Sequence, residues 1–520
     1  MSSHRPEGAE LQAQLQAAFD ARDLGLAARI SRAAIARDAR DGFAWRALGF
    51  AQHAMNQHGA AIASFRRART LGERDVMLAV NLAGSLYAMG EIEPAMREYK
   101  DASSDEDPVA VMKAMANAAV IAPGNPALSN ADILAIRRAW AQACWQNPPS
   151  APAATQPREG KIRVGYVSSF FGARNWMKPV FGAINRHDRT RFEIHLLNSG
   201  RDFTGGSGYA DRDEDYVHNL GNASNARCAD YIRALGLDLL VDLNGYSVPE
   251  RLELFVLRPA PAIIGWFNMF ATTAIPAFGH IIGDDAAIPP EEERFYTERV
   301  WRLAGSYLAF QVLYPVPDVA PPPALAKGYV TFGCLGSQYK ITDSMVARWA
   351  MILARAPTAR LYLRNGTLSD ASCREALLAR FVRCGADPAR IELAGGAEHY
   401  DFLAAYAHVD IALDTFPYNG GTTTSEAIWQ GVPVLTTEGD RWVARTSKSI
   451  LRAGGLGEWC VADAEAYVER AAALANDPAT PGMLAALRAG MRARLAASAA
   501  CDSTTLARGL EAIYAGIAGR

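Results

Sequence analysis

The chain has 520 residues, 50% of them hydrophobic and 21% charged, the profile of an ordinary globular protein with room for about three domains. Lys and Arg total 53 against 55 Asp and Glu, so a net charge of −2 gives no support to a nucleic-acid or polyanion binder driven by bulk charge. The seven cysteines (Cys144, Cys228, Cys334, Cys373, Cys384, Cys460, Cys501) are scattered, odd in number and free of any CxxC pair, which argues against a disulfide framework and a zinc site. The N-terminal MSSHRPEGAELQAQ lacks the apolar core of a signal peptide and no segment reaches membrane-spanning length, so the expectation is a cytoplasmic protein with no membrane span.

Residues 1–145 are rich in alanine and arginine with helical periodicity, and they repeat. Leu48, Ala61, Phe65 and Ala68 recur 34 residues later as Leu82, Ala95, Tyr99 and Ala102. With Trp45 and Leu48-Gly49, this matches a tetratricopeptide repeat, in which small alanines let paired helices approach and a large aromatic fills the gap between them. Ala27 and Ala34 mark an earlier repeat at the same phase, while Val109 to Ala122 is too degraded to count. The alternative is a generic alanine-rich bundle. A short stack of repeats serves either to hold a protein substrate or to make a homodimer, and both stay open.

The proline-rich stretch 146–160 reads as a linker. In 161–314, KIRVGYVSSFF, FEIHLLNS and LDLLVDLNG read as strands separated by helical stretches, the alternation of a parallel doubly wound sheet. A second proline cluster forms an interlobe linker at 315–327, and 328–495 opens another β/α series with strands in YVTFGCL, LYLRN, RIELAG, VDIALD and VPVLTT. Residues 496–520 form a C-terminal helix. Two such lobes joined by one linker place a ligand cleft at the carboxyl ends of the strands.

The most informative segment is Asp414 to Pro433: an apolar strand end, the turn Asn419-Gly420-Gly421, then Thr422, Thr423 and Thr424 leading a helix. Exposed N–H groups at a helix start, added to the positive end of its dipole and to threonine hydroxyls, suit a phosphate. Glu426, about one turn in, is placed to reach an attached ribose. A threonine-rich N-cap with a surface glutamate is the bland alternative. Lys340, in GSQYKIT with Ser337, follows the first strand of the second lobe and faces the cleft, where a point cation can neutralise a departing nucleotide phosphate. Asp284-Asp285 lacks the spacing of a DxD metal motif.

The segments RVGYVSSFFG (163–172), LLVDLNGYSVPERLELFVLRPAP (239–261), YKIT (339–342), DIALDTFPYNGG (410–421) and NGGTTTSEAIWQGVPVLTTEGDRWVARTSKSIL (419–451) resemble, in the same order, the family 41 glycosyltransferases. These are O-GlcNAc-transferase-like enzymes with repeats ahead of a GT-B catalytic region. The resemblance implies Asn419 to Thr424 and Glu426 as donor-binding residues and Lys340 as the leaving-group cation. It implies base contacts from the segment 390–410, with Ala397 presenting backbone groups and Phe402 stacking where many relatives have histidine. His399 is the polar alternative, and Phe402 as helix core is another.

Two departures flank the place where sugar and acceptor should meet. Arg174, in ARNWMKPV, stands where relatives carry a loop histidine, and Phe267 to Thr273 (FNMFATT) replaces a glycine-proline loop. Arginine cannot act as a base at neutral pH but can pair with a carboxylate. Arg174, Asn244, Asn268, Thr272 and Thr273 are thus assigned to the acceptor or sugar side, with Asp242 structural. His187, His195, His218 and His280 receive no role.

The expectation is an inverting, metal-independent protein O-glycosyltransferase with UDP-GlcNAc as default donor, no cofactor, and a protein acceptor presented through the repeats. The alternatives are a nonulosonate moved from a CMP donor to flagellin and a repeat scaffold without activity.

Overall fold

A computed structural model describes residues 5–146, 160–203 and 208–520. The expected linker at 146–160 therefore lies, apart from its two end residues, outside the described residues. Among those described, the strands are β1 (Ile162–Ser168), β2 (Phe192–Asn198), β3 (Tyr216–Asn219), β4 (Leu239–Asp242), β5 (Ala262–Trp266), β6 (His280–Asp284), β7 (Arg299–Leu303), β8 (Thr331–Cys334), β9 (Arg360–Arg364), β10 (Ile391–Ala394), β11 (Ile411–Leu413), β12 (Val434–Thr437) and β13 (Cys460–Val461). They form two parallel sheets of a GT-B fold, preceded by a run of helices. No described helix is long and apolar enough to cross a membrane.

The chain divides into two compact units, Met1–Ile121 with Cys334–Glu398, and Ala122–Gly333 with His399–Arg520. These differ from the domains read from sequence, which set a boundary at 145/146 and kept 328–495 whole.

In the first unit, helices α1 (Arg5–Asp20), α2 (Leu24–Arg37), α3 (Gly42–Ala54), α4 (His58–Thr70), α5 (Val76–Ala88), α6 (Ile92–Ala102) and α7 (Pro108–Ile121) follow one another through short turns. The 34-residue period extends to the caps: Asp41 accepts from the Ala44 N–H at 2.9 Å, and Asp75 from the Met77 N–H at 2.7 Å. Phe65 and Tyr99 are both buried, and a Cβ on Gly49 would collide with the Phe65 ring, which is why the helix pair needs glycine there.

The repeats do not end in solvent. Cys373 is part of their buried core. Tyr87 stacks on Tyr339 with ring centroids 5.2 Å apart, and the buried Arg380 donates to Met89 O, to Ile341 O at 2.9 Å and to Asp343 Oδ1 at 2.7 Å. Gly90 sits at φ +81°, and any side chain there would strike the Ile341 carbonyl. The physical reason for this partition is therefore a polar and apolar seam between the α5–α6 turn and 338–380.

In the second unit the seven-stranded sheet has the order β3-β2-β1-β4-β5-β6-β7, every pairing parallel. Its central strands are buried on both faces, as parallel sheets require. Strands β11, β8 and β13 pair in parallel with neighbours of the same unit through Ile411↔Phe332, Ala412↔Val434 and Thr436↔Cys460. The C-terminal helix Ser503–Ala518 returns to the first sheet, where the Tyr166 hydroxyl donates to that of Tyr514 at 3.0 Å and Glu511 accepts from the Asp188 N–H at 2.8 Å. Helix α8 (Asn130–Cys144), capped by a Ser129/Asp132 box, also belongs to this unit.

Candidate active site

The turn after β11 is built around Asp414. Its buried carboxylate accepts from the Gly420 N–H at 2.8 Å and the Thr436 hydroxyl at 2.7 Å, and burial pushes its pKa up. Asn419 donates to Thr415 O at 2.7 Å, and the Ser447 hydroxyl donates to Gly420 O at 3.1 Å and lies 2.8 Å from Thr424 Oγ1. A Cβ on Gly420 would collide with the hydroxyls of Thr423 and Thr424, so only glycine closes this turn. Helix Thr422–Trp429 then starts at Gly421 without a side-chain cap, and the first-turn amides of Thr422 and Thr423 have no acceptor among the described residues. Thr422 and Thr423 are half-buried, whereas Asn419, Thr424 and Glu426 are buried. The structure thus brings together the sequence-assigned residues Asn419 to Glu426, with the Thr424 hydroxyl spent on the turn's own packing.

Glu426 is not a surface residue. Its Oε1 accepts from Lys178 at 2.7 Å, and the two side chains are 4% and 2% exposed. Lys178 lies on α9 (Arg174–Ile184), one turn beyond Arg174 and immediately before Pro179. Burial lowers its pKa against the pull of Glu426, and burial raises that of Glu426 against the pull of Lys178. Lys178 also donates to His399 Nε2 at 2.9 Å; Asn175 Nδ2 lies 3.1 Å from His399 Nδ1 and the Tyr314 hydroxyl 3.1 Å from Nε2. Burial first, then Lys178 and Arg174, push the His399 pKa down to about 4, so the ring is neutral at pH 7. Phe402 stacks beside it at 6.3 Å and meets Tyr406, whose hydroxyl donates to Thr423 O at 3.0 Å. Arg174 is exposed, with its guanidinium 5.3 Å from the Tyr314 ring centroid. A cavity of about 270 Å³ beside Arg174, Lys178, Gln311 and Tyr314 is smaller than a drug-sized pocket and cannot house a whole nucleotide sugar.

The other first-lobe assignments lie differently. Asn244 is buried, its Oδ1 accepting from the Ser169 N–H at 2.8 Å and its Nδ2 without a partner among the described residues. Asn268 donates to Asn244 O at 2.8 Å and Ser247 Oγ at 2.6 Å. Thr272 and Thr273 both donate to the buried Glu298, Thr272 at 2.6 Å. Read from sequence as sugar or acceptor contacts, Asn268, Thr272 and Thr273 spend these donors on Asn244, Ser247 and Glu298. The reason is backbone shape: Phe267, Phe270 and Ala274 hold φ of +74°, +58° and +56°, and the loop needs internal anchors to keep them there. The fully buried Arg137 of α8 adds another, donating to Thr272 O at 2.7 Å while lying 3.8 Å from the Tyr246 ring centroid.

Lys340, Ser337 and Ala397 belong to the first unit. Lys340 ends a short turn, half-buried, 5.9 Å from the Tyr339 ring centroid; Ser337 and Ala397 are exposed. The buried Gln338 between them accepts from Asn365 at 3.1 Å, so the lysine's turn is anchored on its own side.

Sequence reasoning missed Lys178, Tyr314 and Tyr406. One signal was present: Lys178 is four residues after Arg174 in the same altered segment, on the same helical face.

The family model for Glycosyl transferase family 41 matches residues 135–311 and 323–510. The probable UDP-N-acetylglucosamine–peptide N-acetylglucosaminyltransferase SPINDLY of Solanum lycopersicum is 30% identical over 364 residues, 68% of this chain and 38% of that protein. The protein of the same description from Oryza sativa subsp. japonica is 30% identical over 378 residues, 71% of this chain and 39% of its own length. The chain thus spans well under half the length of these relatives. Among solved structures, an O-GlcNAc transferase mutant from Thermobaculum terrenum is similar with a TM-score of 0.84 and 27% identity, covering 100% of this chain and 98% of that one.

Proposed function

Because this chain belongs to glycosyl transferase family 41, whose model matches most of its length, we propose that it transfers a sugar from a nucleotide-sugar donor to Ser or Thr hydroxyls of a protein. UDP-GlcNAc is the default donor, in line with the activities named for the plant relatives. The observation that carries the reading is the turn at Asn419 to Thr424: unclaimed first-turn amides at Thr422 and Thr423, on a helix start whose tightness only Gly420 permits, form an anion cradle.

In the proposed reaction the acceptor oxygen attacks the anomeric carbon in line, with inversion, as the bond from that carbon to the nucleotide's phosphate oxygen breaks. The amides and hydroxyls of Thr422 and Thr423 take up charge on the leaving phosphate. The resemblance around YKIT gives Lys340 the same task, which leaves no step that needs a metal or a cofactor. The acceptor's proton passes to water or phosphate, since His399 is occupied by Lys178. Ala397, Phe402 and His399 are proposed to contact the donor's nucleobase, and Arg174 and Asn244 to lie on the sugar or acceptor side. The repeats are proposed to present the acceptor in a cytoplasmic setting, with 328–495 as the donor lobe.

A thermal-shift panel of UDP, GDP and CMP tests the donor class. UDP at about 100 times its Kd should stabilise the protein by about 2.7 kcal/mol, with intact mass of a co-expressed acceptor reporting one added N-acetylhexosamine. A shift with CMP alone moves the donor class to the nonulosonate alternative, and no shift with any nucleotide defeats the proposal in favour of an inactive scaffold.

A further inference from the structure

A lysine that is 6% exposed persists only where its charge is met. Lys178 reaches Glu426 on the Thr422–Trp429 helix, His399 at the head of helix His399–Ala404, and the Tyr314 ring, whose centroid is 4.7 Å from its ammonium. Three segments far apart in sequence are thus tied to one cation. The tie is one-sided on the carboxylate. Lys178 uses Oε1, and His399 lies 3.8 Å from the same oxygen, while Oε2 has no hydrogen-bond partner among the described residues although Glu426 is 3% exposed. A carboxylate offers about four lone-pair sites, so one whose second oxygen is unused can accept from hydroxyl donors.

We propose that Lys178 is a positioning residue that fixes Glu426 as a charged acceptor for the ribose hydroxyls of the donor nucleotide, with Oε1 held by the ammonium and Oε2 turned to the sugar. The proposal rests on the nucleotide-sugar reading above. It assigns the site a selectivity: ribonucleotides over their deoxy forms. A lysine that merely supported packing would weaken both forms alike when replaced.

The test is isothermal titration of the full chain with UDP and 2′-deoxy-UDP, with CMP and 2′-deoxy-CMP in parallel. Wild type should bind the ribo form about tenfold or more tightly, the size of one charge-assisted hydrogen bond, and the ratio should fall to within about threefold in Lys178→Met and in Glu426→Gln. Lys178→Arg should retain most of the preference, because it keeps the charge. Lys178→Gln carries the same comparison where the methionine variant does not fold. An unchanged ratio in a folded Lys178→Met or Lys178→Gln overturns the proposal and leaves nucleotide binding standing. A wild type that binds none of the four removes the nucleotide-sugar reading itself, and the proposal with it.

Discussion

Asp242 ends β4 with its carboxyl fully buried, accepting from the Asn244 N–H at 2.8 Å and the Gly245 N–H at 3.1 Å. Burial outweighs those bonds and raises its pKa from 3.8 to about 7. Between those two values the folded state holds a proton that the unfolded state has lost. The stability this group contributes is therefore full below pH 3.8 and is lost as pH rises towards about 7. Asp242→Asn should remove that dependence: its Tm relative to wild type climbs with pH across this window and levels off above it, as calorimetry at stepped pH would show. Lys340→Ala bears on the chemistry instead. Losing a cation from the leaving group costs about 3 kcal/mol, or about two orders of magnitude in turnover, while the half-buried side chain leaves no core cavity. Near wild-type turnover at saturating donor would withdraw the role given to Lys340. At this scale the turn at Asn419 to Thr424 was legible because its chemistry is local, glycines and threonines within six residues. Lys178 was not, because its partner Glu426 is 248 positions away and nothing in either local sequence announces the pair.

Strands that are buried and largely apolar, such as β1, β2 and β4, are readable from sequence because burial on both faces demands such residues. The edge strand β3 carries Tyr216 and Val217 at 50% and 49% exposure, and β13 has two residues, so neither imprints a pattern. Repeat helices α3 to α6 were visible through their period, but the seam they make with 338–380 was not, since it depends on one arginine and two tyrosines in distant segments. Arg380 tests that seam. Arg380→Ala takes the buried guanidinium from Ile341 O and from Met89 O, which keeps only a 3.4 Å bond from Gln338, and this should cost about 2 to 4 kcal/mol and lower the Tm by several degrees. Because Ile341 adjoins Lys340, turnover should fall as well; a variant with unchanged Tm and turnover would show the seam to be incidental.

At the level of the whole molecule, two parallel sheets and a helical N-terminal run followed from alternating β/α patterns and a 34-residue period. The partition into compact units did not, because proline-rich stretches mark where a chain bends and carry no information on which segments later pack together. The first unit is assembled from two stretches of chain with the 122–333 segment between them. On a translating ribosome that gap is a delay: at ordinary elongation rates roughly 200 residues take about 10–40 s to emerge. Throughout that interval the α5–α6 turn has been made while Tyr339 and Arg380, which complete it, have not. The nascent repeats must wait with Tyr87 uncovered, so changing the speed at which the message is read across residues 122–333 should change the yield of folded protein.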